Sequence, residues 1–365
     1  MTLSFSGSSS FSVGMEMEYQ LLEHDSLDLT DGILPLLERV SEKQNIKPEF
    51  IQDTVEVASS PCEDAPALDQ DVRSLCAKLL DQVKPLSIAL AGSGTHPFSQ
   101  ALATITPLPR YQLMQASYGY SARTQITFAT HVHIGVDDGD EAIRLMRELK
   151  TLLPLLIALS ANSPFWRGYE TGFASYRRVI LASSRTYGQP PDFSCWRSFA
   201  QYVEQCQAAG VFQNINDIHW DIRPRPKFGT VEVRVMDAQS TVSEACALAV
   251  LIRAMVRYVR GIRVMPESRQ LHALPWWVHK DNCYLAARDA LEAKLITGPD
   301  GRWAWLRDCL EQLLDVLHQH MPGEERKLFA PLSRNLAENK LGYQRQRNIV
   351  KKGGTLSDIV KEQCT

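Results

Sequence analysis

Apolar residues recur along this chain at two spacings, and the two spacings divide it into helices and strands. Spacing of three and four, which places apolar side chains on one stripe of a helix, predicts a helix from Pro66 to Leu90. Leu68, Val72, Leu75, Leu79, Val83 and Leu86 form its stripe. A second helix is predicted from Asp140 to Ala161, through Ile143, Met146, Leu149, Leu153 and Leu156. Val242 to Val259 is apolar nearly all round and so predicts a buried helix, with others at Cys283–Ile296 and Trp303–His320. Thr355-Leu-Ser-Asp358 has the form of a capping box opening a last short helix. Alternation of apolar and polar residues predicts strands at Val13–Leu22, Phe50–Ala58, Ile126–Val136 and Thr230–Met236, and a short one at Ile88–Ala91. Loops rich in Gly, Pro and Arg separate elements at Thr186–Phe193 and Arg223–Gly229. Strands and helices do not alternate regularly, as they would in a doubly wound fold. The predicted class is α+β, a mainly antiparallel sheet with helices on its outer face.

With 365 residues, 44% of them hydrophobic and 22% charged, the chain suits one large domain or two intimately joined ones. A formal net charge of −3, with no block of Lys and Arg, argues against a nucleic-acid partner. None of the eight cysteines forms a Cys-x-x-Cys pair, so reduced, mostly buried thiols of a cytoplasmic protein are expected. The Ser-rich start has neither the basic nor the apolar region of a signal peptide. The most apolar stretch, Leu152–Leu159, is far short of the roughly 20 residues a membrane span needs.

Residues two apart in a strand share a face. Glu16 and Glu18 therefore point one way, opposite Met15, Met17 and Tyr19. Glu232 and Arg234 share a face opposite Val231, Val233 and Val235; His131 and His133 share one opposite Val132 and Ile134; and Gln52, Thr54 and Glu56 share one. A solvated strand face is usually a mixture of Thr, Ser, Lys, Gln and Glu, and any one of these strands could be that alone. The set is less ordinary, because neighbouring carboxylates are unfavourable unless a cation or an Arg offsets them. A concave sheet gathering these strands forms a carboxylate-lined cup suited to Mg²⁺, which takes oxygen ligands and shares them with phosphates.

The motifs in order are Gly-Met-Glu-Met-Glu at 14–18, Gly-Thr-His-Pro-Phe at 94–98, Thr-His-Val-His-Ile-Gly at 130–135 and Ala-Leu-Ser-Ala-Asn-Ser-Pro at 158–164. They continue with Phe-Ala-Ser-Tyr-Arg at 173–177, Asp-Ile-His-Trp-Asp-Ile-Arg-Pro at 217–224 and Phe-Gly-Thr-Val-Glu-Val-Arg-Val-Met-Asp at 228–237. Together they resemble the carboxylate–amine ligase family, the type-2 glutamate–cysteine ligases of the glutamine-synthetase-like superfamily. The resemblance covers nearly the whole chain and implies a single catalytic domain over residues 1–365, built on a curved antiparallel sheet that forms a funnel. It implies ATP and Mg²⁺ (or Mn²⁺) as cofactors, and as partners a glutamate-like acid and an amine such as cysteine. Enzymes of this kind are commonly homo-oligomers, although no interface signal stands out.

By the same resemblance Glu16, Glu18, Glu56 and Glu232 match metal ligands, and Glu49, seven residues before Glu56, stands where related ligases carry another acid. His131 matches a site histidine with His133 beside it, and histidine, not a preferred Mg²⁺ ligand, would hydrogen-bond phosphate or substrate. Arg234 matches an arginine on the nucleotide phosphates. Arg177 is expected to clamp the carboxylate or the transferred phosphoryl group, with Arg223 and Arg225 as further candidates in a Pro-stiffened loop. His96 reads equally as a binding-loop residue or as a hydrogen-bonded histidine at a turn. Asn282-Cys283-Tyr284 departs from the Asn-Arg-aromatic pattern of many members, which predicts a pocket that differs there. The implied reaction is phosphorylation of the carboxylate by ATP to an acyl phosphate, followed by displacement of phosphate by the amine. No P-loop is present. The competing readings are the same ligase chemistry with a different amine or acid, a non-catalytic binding protein keeping the fold, and a hydrolase using His131 and His133 without ATP.

Overall fold

The strand-period segments assemble into one sheet in the computed structural model, which describes residues 3–261 and 274–364. Its seven strands are β1 (Val13–Glu23), β2 (Ile46–Pro48), β3 (Thr54–Ala58), β4 (Ile88–Ala91), β5 (Ala129–Gly135), β6 (Ile222–Arg225) and β7 (Thr230–Asp237). Spatial order is β6-β7-β5-β1-β3-β2, and every pairing is antiparallel. The long β1 organises the sheet. Residues 13–17 pair with β5 and 20–23 with β4 along one edge, while 16–20 pair with β3 along the other.

Alternation sends Met15, Met17, Tyr19, Val55, Val57, Val132, Ile134, Val231 and Val233 into the core on one face of the sheet. Helices cover them: α1 (Ala65–Val83), α2 (Gly139–Lys150), α3 (Leu153–Ser160) and α4 (Val242–Gly261). Helix α4 is buried along most of its length, as its all-round apolarity predicts. Burial of each large aliphatic side chain contributes about 1.5–3 kcal/mol, and the pleat leaves the polar partners on the opposite face.

Backbone chemistry explains where elements differ from expectation. The segment Asp140–Ala161 is two helices rather than one, because Pro154 lies in the first turn of α3 and has no N–H to continue the ladder. Helix α1 stops at Val83, where Pro85 and a left-handed Ser87 (φ 54°) turn the chain into β4. The expected Cys283–Ile296 helix is instead α5 (Trp276–Asp289), ended by a left-handed Ala290 (φ 48°). Lys294–Ile296 then pairs as a strand with Trp303–Trp305, so the next helix, α6 (Leu306–Leu317), starts later than expected. Phe50–Asp53 is a turn before β3 rather than strand, and β5 is shorter than Ile126–Val136.

The expected loop at Arg223–Gly229 contains the edge strand β6, where Pro224 is tolerated because one side of an edge strand needs no donor. The last helix, α7 (Leu356–Gln363), opens with the capping box read from Thr355: Asp358 N–H donates to Thr355 Oγ1 at 3.2 Å, and Thr355 N–H to Asp358 Oδ2 at 2.9 Å. No helix among the described residues is long and apolar enough to cross a membrane.

Candidate functional site

Sheet register decides which polar side chains meet. Glu16 lies opposite His131, Glu18 opposite Glu56, Glu232 opposite His133, and Arg223 opposite Glu232. They share the sheet face away from the helical core, where a cavity of about 300 Å³ is lined by Glu16, Glu18, Glu49, Glu56, His131, Arg177, Arg223 and Arg234. Lys47, Arg110, Tyr111, Tyr187, His219, Arg225 and Phe228 complete much of its wall.

At one end, Glu18, Glu49 and Glu56 bring carboxylate oxygens within 4.8 Å of one another. Burial and the neighbouring Glu49 push the Glu18 carboxyl up to about 8, even though it accepts the Ala129 N–H at 2.6 Å. Burial and the charges of Glu16 and Glu49 raise Glu56 well above the carboxylate range, and only Lys47, 3.4 Å away, opposes them. Glu49 is not on a strand. It follows β2 after Pro48, and its carboxylate also accepts the Phe50 N–H at 3.1 Å. An all-oxygen, like-charged trio of this kind is the donor set a hard divalent cation takes.

Next to it, Glu16, His131 and Glu232 form a second group of ligand atoms within 4.8 Å of one another. His131 Nδ1–H donates to Glu16 Oε2 at 3.1 Å, which leaves Nε2 buried without a hydrogen-bond partner. Burial and the adjacent Arg234 depress His131 to about 3, so the ring is neutral. His133 Nδ1 is 3.0 Å from Thr230 Oγ1, and its Nε2 is 3.4 Å from Glu16 Oε1. Burial alone would raise Glu16, but the two histidines hold it well below the carboxylate range.

Glu232 is the most heavily engaged of the carboxylates. Arg223 Nε donates to its Oε2 at 2.8 Å, Arg234 forms an ion pair with Oε1, and Arg225 stands 3.6 Å away. Burial would raise its pKa, and these guanidinium groups hold it well below the usual value instead. Any cation taking Glu232 must compete with Arg234. Arg177 is also buried, near enough for its charge to act on Glu18, and both terminal nitrogens of its guanidinium donate at 3.5 Å to the Arg234 carbonyl.

Several motif residues support the site from behind. The buried Asp237 accepts the Asn162 N–H at 2.8 Å, Ser163 Oγ–H at 2.7 Å and Ser175 Oγ–H at 2.8 Å, and Ser163 Oγ in turn accepts the Arg177 N–H at 3.2 Å. A Cβ at Gly94 would stand 2.5 Å from the Asp237 carboxyl carbon, so only glycine fits there. His96 is a structural histidine outside the cavity. Its Nε2–H donates to the Leu27 carbonyl at 2.9 Å, Nδ1 accepts the Ser99 N–H at 3.0 Å, and burial lowers its pKa to about 4. The Asn282-Cys283-Tyr284 segment also lies outside the cavity wall: Asn282 bonds both backbone groups of Ile296, and Cys283 packs behind Gln189.

The structure thus gathers Glu16, Glu18, Glu49, Glu56, His131, Arg177, Arg223, Arg225 and Arg234 around one cavity, with His133 beside Glu16 and Glu232 buried behind Arg223, Arg225 and Arg234 rather than in the wall. Residue patterning missed Lys47, Arg110, Tyr111 and His219. Arg110 and Tyr111 belong to the helix Pro109–Tyr118, which has no buried residue and hence no apolar stripe to read. His219 does stand in the motif at 217–224, where its signal was available.

Comparison with known proteins places the chain in a family. Residues 12–365 match the family described as Glutamate-cysteine ligase family 2. A relative from Trichormus variabilis is 40% identical over 98% of this chain and 93% of its own length, and one from Thermobifida fusca is 34% identical over 99% and 92%. Both carry the provisional name glutamate–cysteine ligase 2. Among solved structures, the glutamate–cysteine ligase of Francisella tularensis, in complex with AMP, superposes with a TM-score of 0.70 at 14% identity, covering 99% of this chain and 89% of that one. The bifunctional glutathione synthetase of Pasteurella multocida gives 0.69 at 14% identity, covering 97% of this chain and 51% of that one. At such identity these two speak for the fold. The family match and the relatives, similar along nearly the whole length, go further: the chain belongs to glutamate–cysteine ligase family 2 and is an ATP-dependent carboxylate–amine ligase.

Proposed function

We propose that the chain joins the γ-carboxylate of glutamate to the amine of cysteine, in a single catalytic domain and through a γ-glutamyl phosphate. The observation that carries this reading is the cavity itself, where a trio of carboxylates within 4.8 Å of one another faces Arg177, Arg223 and Arg234. Glu18, Glu49 and Glu56 offer the oxygen set that would hold Mg²⁺ (or Mn²⁺), and Glu16 and Glu232 bound a second position beside the neutral His131. Mg²⁺, when bound there, would supply the positive charge that offsets the nucleotide phosphates.

The remaining work falls to the chain's own side chains. Glutamate must displace ADP from the γ-phosphorus, because a free carboxylate has only oxide to expel, and charge spreads over the transferring oxygens as it does so. Arg177 and Arg234 stand together close to Glu18, where their forks stabilise that charge. Arg223 and Arg225 hold Glu232 ionised, and His131 and His133 do the same for Glu16. The amine then adds to the acyl carbon, loses a proton, and phosphate departs. The free cysteines suit the reducing cytoplasm, where glutamate, cysteine and ATP are available.

The test is to supply ATP, Mg²⁺ and glutamate with a panel of amines, measuring ADP release and a new amide. Cysteine should raise ADP production most. If another amine does so, the ligase chemistry stands and the acceptor changes. If no amine raises it, glutamate is not the acid.

A further inference from the structure

Arg178 and Asp221 form a buried ion pair that neither lines the cavity nor touches the carboxylate groups. Arg178 donates to Asp221 at 2.8 and 3.1 Å through both terminal nitrogens, and Gln189 Nε2 adds a third bond at 2.9 Å. Asp221 is fully buried. A buried pair of this kind is weak support for stability, since apolar side chains of similar volume often serve as well. Its place in the chain suggests another role.

Arg178 directly follows Arg177 at the start of the short helix Arg177–Leu181. The Asp221 carbonyl accepts the Arg234 N–H at 2.9 Å, at the irregularity where β7 shifts register against β5 between Val233 and Met236. The Asp221 N–H donates to the Gly188 carbonyl at 2.8 Å, and Arg178 lies over the Tyr187 ring at 5.6 Å. One ion pair therefore ties the backbone of Arg177, the backbone of Arg234 and the cavity-lining Tyr187 into one rigid unit.

We infer that Arg178 and Asp221 are positioning residues that set Arg177 against Arg234, so that both guanidinium groups meet the same phosphoryl group. This rests on the reading of Arg177 and Arg234 as the charge-stabilising arginines. Bidentate recognition needs fixed spacing, and a misplacement of about 1 Å far from the chemistry can cost on the order of 100-fold. The pair acts on the transition state through two other residues, so turnover should suffer while ground-state binding is largely kept.

The experiment compares Asp221→Asn with the double variant Arg178→Met/Asp221→Leu, which removes both charges and leaves none buried alone. kcat and KM are measured well below each variant's own melting temperature. Both should show kcat reduced at least tenfold, KM for ATP and glutamate changed less than about threefold, and an undiminished Mg²⁺-induced rise in melting temperature. Wild-type kcat in either folded variant overturns the inference and leaves the pair purely structural. A double variant that does not fold leaves the decision to Asp221→Asn, which keeps the native shape and one acceptor for Arg178 while losing the bonds made to Oδ2. Arg177→Lys and Arg234→Lys, run in parallel, separate the two questions. Wild-type turnover in those would remove the reading on which this one rests.

Discussion

Replacing Glu56 with Gln should make the metal-free protein more stable, the reverse of what most buried substitutions do. Glu56 shares a space with Glu18 and Glu49 in which ligand atoms lie within 4.8 Å of one another. At that separation, two unit charges in an effective dielectric of about 20 repel by roughly 3–4 kcal/mol. The group escapes part of this by holding a proton, as its raised pKa indicates. Holding a proton at pH 7 that the unfolded chain would release costs about 3–4 kcal/mol, and that sets the ceiling. Gln has the same shape and no such cost, but it forfeits the Lys47 contact, worth below about 1 kcal/mol for a partly exposed pair. A net gain of about 1–3 kcal/mol remains after relaxation.

For a chain of 365 residues, unfolding entropy of about 2.1 cal/mol/K per residue converts that gain into a melting rise of roughly 1–4 °C. Magnesium should reverse the order. A ligand at 100 times its dissociation constant stabilises the wild type by about 2.7 kcal/mol, and Glu56→Gln should lose most of that. Melting curves of both proteins in EDTA and in MgCl₂ decide the matter. The reasoning fails if Glu56→Gln melts below wild type in EDTA, or if magnesium raises both by the same amount.

His96 has a folded pKa of about 4, below the roughly 6.5 of an unfolded histidine, so its contribution is fully present above pH 6.5 and is lost as pH falls toward 4. The stability gap between wild type and His96→Gln should therefore narrow by about 3 kcal/mol between pH 7 and pH 4 in urea titrations, and a constant gap would contradict this. Gly94→Ala should cost at least about 1–3 kcal/mol, read as a lower urea midpoint, because its Cβ would meet Asp237 at 2.5 Å; an unchanged midpoint would show that the Asp237 network can shift. Arg234→Lys should lower kcat by about 100-fold in steady-state assays, since an ammonium cannot reproduce a guanidinium fork, and near-normal turnover would remove Arg234 from the chemistry.

Strand period carried much of the site. It placed Glu16 with Glu18 and Glu232 with Arg234 on shared faces, and register then set Glu18 against Glu56 and Glu16 against His131. Helix ends were harder to read, because Ser87 and Ala290 adopt left-handed backbone without being glycine. Arg223 looked like a loop residue because Pro224 follows it, yet β6 is an edge strand that tolerates proline, and this puts Arg223 on Glu232. Glu49 lies outside any alternating pattern and was visible only through family resemblance, whereas the helix carrying Arg110 and Tyr111 gives no periodic signal at all. The Asp237 and Asp221 networks were hidden for a different reason. Their side-chain partners are 32 to 75 residues away in sequence, and only the fold brings them together.

The central claim is that glutamate is activated as an acyl phosphate. Glutamate carrying ¹⁸O in its γ-carboxylate, turned over with ATP, Mg²⁺ and cysteine, should deliver one labelled oxygen to inorganic phosphate, read by mass spectrometry or by ³¹P NMR. Label appearing in AMP, or unlabelled phosphate alongside amide product, would contradict it.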